Sequence, residues 1–219
     1  MNTTPKPRRP GRRSAEDSEA LREALLKAAR ELFATHGFAA VSLRRIAEKA
    51  GANAAMIHYY FGDKNGLYEA MLETTIGPAL KRLQVLDRDS VGGLDIATVM
   101  RTQTGILANN PWLPRLILQE VIAGNSQLRE RFVQRFASRG AELLTSLVAR
   151  GQAEGRFRED LDPRLAAMSA MSMVIFPFLT LPVASELFDA STDAAWLDRF
   201  VAHTATLFTA GLTHPIREE

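Results

Sequence analysis

The stretch SLRRIAEKAGANAAMIHYYFGDKNGL, residues 42–67, holds two short apolar patterns on either side of Gly51. Ser42 is suited to cap a helix, because its hydroxyl can accept from the free backbone N–H groups of a first turn. Leu43, Ile46, Ala47 and Ala50 then fall on one helical face. Gly51 can take the left-handed conformation that stops this helix and turns the chain. Asn53 is a second cap and opens a very short helix through Tyr60. Gly62-Asp63-Lys64 makes a turn, and a longer helix runs from Lys64 into the eighties, where Pro78 is expected to kink or divide it. Upstream, Leu21, Leu25, Ala28, Ala29, Leu32 and Phe33 recur at helical spacing, and Gly37 closes that helix. Two short helices joined by a glycine-containing turn, behind a longer one, make a helix-turn-helix.

The second helix of such a unit can enter the major groove of DNA with its first residues against base edges. Asn53, Ala54 and Ala55 are small enough for close approach, and an alanine methyl can meet a thymine methyl. His58, Tyr59 and Tyr60 carry polar tips that can reach phosphates on the groove walls. Arg44 is long enough to reach a guanine, and Lys64 can meet a phosphate beside the free N–H groups of its own helix. Ile46, Ala47, Ile57 and Phe61 face inward. The same pattern also fits a plain three-helix corner whose aromatics are core.

Charge distribution favours a polyanion at this end. Residues 1–64 hold 12 Lys and Arg against 7 Asp and Glu, a net of +5, although the whole chain of 219 residues carries only +2. The first 14 residues, rich in Pro, Arg and Lys, read as a disordered basic tail rather than a signal peptide. Cysteine is absent, which excludes disulfides and thiolate metal sites and fits a reducing cytoplasm. The longest apolar run, MSMVIFPFLTLPVA, is short for a membrane span and contains Pro177 and Pro182, so it reads as a buried helix.

Beyond residue 94 every segment reads as helix, with spans expected at 95–109, 112–123, 126–153, 163–188 and 193–212. No window alternates as a strand would. The fold class is therefore all-α with about nine helices. The boundaries are a tail at 1–14, a DNA-binding domain at 15–66 and a helical effector-binding and dimerisation domain at 67–219.

Taken as a set, LFATHGFAAVSLRRIAEKAGANAAMIHYYFGDKNGLYEAML resembles the DNA-binding domain of the TetR/AcrR family of bacterial transcriptional regulators. The match covers residues 18–70. Further on it rests on the helical layout and on GQAEGRFREDLDP, similar to the loop before the last two helices of many members. The resemblance implies a homodimer on a palindromic operator, acting as a repressor that a small ligand releases. It places Ser42, Arg44, Asn53, Ala54, Ala55, His58, Tyr59, Tyr60 and Lys64 on the DNA. Many members carry a larger or polar residue and a glycine or proline where this chain has Ala54 and Ala55. Operator preference must then lean on Arg44, on methyl contacts or on DNA shape.

The resemblance also makes the last two long helices a four-helix bundle with their mates, through Ala170, Val174, Leu197, Phe200, Val201, Thr204, Leu207 and Phe208. The physics agrees, since an apolar terminal helix pair has more face than one domain covers, although plain intrachain core is the alternative. Met and aromatic side chains between the two modules make adaptable walls for a largely apolar effector. Met100, Thr104, Leu107, Trp112 and Leu116 are candidate contacts, as are Glu120, Phe136, Met168, Met171 and Phe176. No catalytic constellation and no metal or cofactor site is visible: His36, His58, His203 and His214 lack ligand spacing, and no phosphate loop or nucleophile elbow occurs. A helical adaptor that meets an acidic protein or a membrane with its basic end is the remaining alternative.

Overall fold

The computed structural model describes residues 15–89, 94–124 and 126–213. The expected basic tail and Gly92-Gly93 lie outside them. Among the described residues the chain is helical with no strand. Eleven α-helical segments and two π-helical stretches join into ten continuous helices, close to the nine expected.

The first compact unit ends at Met71 rather than at residue 66. The reason is packing: Leu67, Tyr68 and Met71, all on the fourth helix, are buried in its core. Helix α1 (Ala15–Ala40) is broken at Gly37, whose φ of 78° lies in the left-handed region. Helices α2 (Leu43–Lys49) and α3 (Ala54–Phe61) form the helix-turn-helix. Gly51 adopts φ 66° between them, and Ala52 N donates to Ala47 O at 2.8 Å to close the turn. Leu25, Phe33, Ile46, Ala47 and Ile57 complete the core of this unit. Phe38 packs edge-on against Tyr68 with ring centroids 5.3 Å apart.

Helix α4 (Lys64–Asp89) opens with Asp63 accepting from Gly66 N at 2.8 Å. Pro78 lies inside it and does not divide it. One missing hydrogen bond is tolerated where flanking turns pack, here with Leu80 and Leu83 buried on the same helix.

The second unit runs from Leu72. Its helices are α5 (Ile96–Asn109), α6 (Trp112–Leu116), α7 (Ser126–Phe132), α8 (Ser138–Ala153), α9 (Pro163–Leu179), α10 (Leu181–Phe188) and α11 (Ala194–Leu212). Helix α6 continues into a π-helical stretch, Ile117–Ile122, and a second one, Val133–Ala137, joins α7 to α8. Helix α5 is the centre of this unit and packs against α9, α11 and α8. The single helix expected at 163–188 is two helices, bent by 87° about Thr180. Pro182 sits in the first turn of α10 and lacks the N–H that would continue the α9 ladder past the non-helical Thr180. No single helix among the described residues is long and apolar enough to cross a membrane. The loop after α8 is held by Gly151, where any Cβ would come within 2.2 Å of the Phe157 ring.

Candidate nucleic-acid interface and effector cavity

Capping chemistry sets the recognition unit. Ser42 Oγ accepts from Arg45 N at 3.2 Å to start α2, and Asn53 Oδ1 accepts from Ala55 N at 2.9 Å to start α3. Only Ile57 of α3 is fully buried; Tyr60 and Phe61 are half-buried, and Ala55, His58 and Tyr59 leave one side of the helix open. Ala55, His58 and Tyr59 are exposed, and Ala54 is half-buried beside them.

The expected DNA-facing side chains divide by what already holds them. Arg44 is 85% exposed and pairs with Glu48 along α2 at 2.8 Å, which keeps its guanidinium extended over the surface. The carboxylate holds that guanidinium firmly protonated. Tyr59 is 75% exposed and stacks edge-on with Tyr60. Tyr60 is half-buried, and its hydroxyl lies 2.8 Å from Ser18 Oγ on α1. His58 Nδ1 bonds Gly62 O at 2.7 Å, leaving Nε2 as its outward atom. Lys64 is turned inward: its ammonium sits 4.4 Å above the Phe38 ring and donates to Ala39 O at 3.4 Å. The sequence placed Arg45 nowhere. It is exposed and lies 2.9 Å from His36 Nε2, beside Arg44 on α2.

The second unit holds an apolar cavity of about 220 Å³, with the exposed Ile122 at its rim. Its walls come from α4, α5, α6, both π-helical stretches, α8 and α9. π-Helical turns arise where the regular ladder is interrupted and often mark functional sites; here Ile117, Ile122, Phe136 and Ala137 all face the cavity. Of the ten expected effector contacts, Leu107, Phe136 and Met171 line it. Met100, Thr104, Trp112, Leu116 and Glu120 do not. Met100, Thr104 and Leu116 are buried in the core away from the cavity lining. Met168 and Phe176 lie with Met171 along an open groove between α8 and α9. Sequence reading missed Ile76, Leu80 and Leu83 of α4. Their regular spacing was the available signal.

The expected dimer residues also divide. Ala170, Val174, Val201, Thr204 and Phe208 are buried within one protomer, because α5 covers the inner faces of α9 and α11. Leu197 and Phe200 are half-buried, with Phe200 stacked on Trp196 at 4.9 Å. Leu207 is 54% exposed. The exposed apolar side chains of α9 are Leu165, Met168 and Phe176, spaced along one face. No cluster of three His, Asp or Glu able to hold a metal occurs among the described residues.

A helix-turn-helix followed by a helical unit around an apolar cavity is matched by two family models. One, described as bacterial regulatory proteins of the tetR family, matches residues 25–71. The other, a tetracyclin repressor-like C-terminal domain, matches residues 95–207, more than half of the chain. The chain belongs to the TetR family. Among similar TetR-family proteins is the transcriptional regulator RutR of Escherichia coli K12, 32% identical over 114 residues. That match covers 52% of this chain and only 53% of RutR, so the chain spans about half the length of that relative. The transcriptional repressor NicS of Pseudomonas putida is 25% identical over 193 residues, 84% of this chain and 90% of NicS. The crystal structure of FadR from Bacillus subtilis in complex with stearoyl-CoA shares the fold at a TM-score of 0.70 and 20% identity, over 87% of this chain and 98% of FadR.

Proposed function

We propose that this TetR-family chain is a homodimeric repressor that holds a palindromic operator and is released from it by a small, largely apolar effector. The observation that carries this reading is the double duty of α4. Leu67, Tyr68 and Met71 of its first turns belong to the core of the helix-turn-helix unit, and Ile76, Leu80 and Leu83 further along wall the cavity. An effector against those three residues touches the helix that the DNA-binding unit is built on.

Two recognition helices must stand about 34–36 Å apart to enter successive major grooves on one side of DNA. A ligand releases the operator only by binding the out-of-register state better, and a shift from 1:99 to 99:1 needs about 5.5 kcal/mol of preference. By linkage, operator DNA weakens effector binding by the same factor. Leu165, Met168 and Phe176 on α9 with Leu207 on α11 supply exposed apolar surface for a symmetric partner. Arg44, Arg45, Tyr59 and the N-terminus of α3 supply the DNA contacts. NicS is named a repressor, and the FadR structure holds stearoyl-CoA, whose acyl chain is apolar; both agree with this reading. Action on an operator places the protein in the cytoplasm.

The test is selection of bound duplexes from a random pool by the full chain. The reading expects a two-fold symmetric site with half-sites about one helical turn apart. A pool that does not enrich would remove it.

A further inference from the structure

The cavity wall is apolar except at one position. Val99, Gln103, Ile106 and Leu107 project from one face of α5 into it, and among the described residues Gln103 alone lines it with a hydrogen-bonding side chain. No acidic or basic side chain lines it among the described residues. The nearby guanidinium of Arg129 is engaged elsewhere: Nε donates to Val121 O at 2.8 Å and Nη2 to Ile122 O at 3.0 Å, closing the π-helical stretch. The Gln103 amide makes no hydrogen bond to another described residue. Gln103 is half-buried, and a ligand that displaced water from its amide without bonding to it would leave a polar group unpaired, which is unfavourable.

We propose that the effector is an uncharged molecule with a hydrocarbon body and one hydrogen-bonding group, a hydroxyl or a ketone or ester carbonyl, set against Gln103. This rests on the effector reading above and narrows it. Gln103 can donate to a carbonyl through its NH₂ or accept from a hydroxyl through its oxygen. An ionised group buried beside Gln103 would have no counter-ion among the lining side chains, and burial of an unpaired charge is strongly unfavourable. Stearoyl-CoA, the molecule bound in FadR, carries phosphates, and only the acyl portion of such a molecule matches the lining of this cavity.

The test is calorimetric titration of the full chain, without DNA, with octan-1-ol, octan-2-one and octanoate at pH 8, where octanoate is ionised. The alcohol and the ketone bind, and octanoate binds at least about a hundredfold more weakly. Gln103→Leu, or Gln103→Met should the first variant misfold, weakens the alcohol and ketone about tenfold. Gly140→Leu fills the cavity and weakens every probe; a Cβ at Gly140 meets only Leu80 Cδ2, at 4.0 Å, so the backbone is not strained. Octanoate binding as tightly as octanol, unchanged affinity in both Gln103 variants, or no binding of either neutral probe would overturn the proposal. Neutral probes that bind through Gln103 but never release selected operator DNA would uphold the ligand class and overturn the effector reading instead.

Discussion

The hydroxyls of Ser18 and Tyr60 lie 2.8 Å apart, tying the first helix to the recognition helix. The neighbouring Tyr59 has no such tie and stands 75% exposed. The two adjacent tyrosines are therefore expected to respond differently to loss of their hydroxyls. Tyr60→Phe is expected to lower unfolding free energy by about 1 kcal/mol, because it deletes a part-buried hydrogen bond. Tyr59→Phe is expected to leave stability unchanged and to weaken operator binding, as loss of the proposed phosphate contact requires. Urea denaturation and operator titration of both variants check this pair of outcomes.

Arg44 is held over the surface by Glu48 and has nothing to lose from the core on truncation. Arg44→Ala is expected to cost roughly 1–3 kcal/mol of specific binding and to relax preference at one base pair in each half-site. Unchanged affinity and specificity would show that α2 does not read bases. Lys64→Ala behaves differently, because its ammonium packs on Phe38 and bonds Ala39 O. It lowers thermal stability along with DNA affinity, whereas a phosphate contact alone would change only the salt slope, by about one unit.

The proposed dimer is best probed at Leu207. It is 54% exposed in the protomer, so Leu207→Glu leaves the fold intact. In a dry interface the same charge is unpaired and strongly unfavourable. Sedimentation should give a monomer for the variant and a dimer for the wild type at micromolar concentration, with operator affinity collapsing in the variant. A wild-type monomer would defeat the assembly.

Arg150 Nη2 donates to Asp87 at 2.6 Å, pinning the far end of α4 to α8. This hydrogen bond, helped by one from Leu94 N, holds the Asp87 carboxyl below its ordinary range against the opposing effect of burial. A carboxyl with a depressed folded pKa stabilises fully above its unfolded pKa, about 3.9, and the benefit is lost as pH falls through the lower folded value. Asp87→Asn should therefore cost about 1 kcal/mol at pH 7 and less at pH 2. Equal losses at both pH values, by chemical denaturation, would mean that the pair acts through packing rather than charge.

The helix-turn-helix was legible because its signals are local. Ser42, Gly51 and Asn53 act within a few residues of themselves, and each is found in the role its chemistry suggests. The hidden parts depend on which face of a helix a neighbour covers. Lys64 has the same charge whether it meets a phosphate or Phe38. Val201 and Phe208 look the same whether α5 or a second copy covers them, and α5 covers them. The two π-helical stretches shift helical register without any Gly or Pro inside them, so the spacing around Phe136 gave no warning. Pro182 was visible but was read as part of one buried helix, where it turns the chain by 87°.

The most direct measurement is the affinity of the full chain for its selected duplex against a scrambled duplex of the same length, both near physiological salt. A specific regulator should prefer the selected site by at least about a thousandfold. Equal affinity for the two, with the same steep salt dependence, would mean that the basic end binds polyanions without reading them, and would contradict the account.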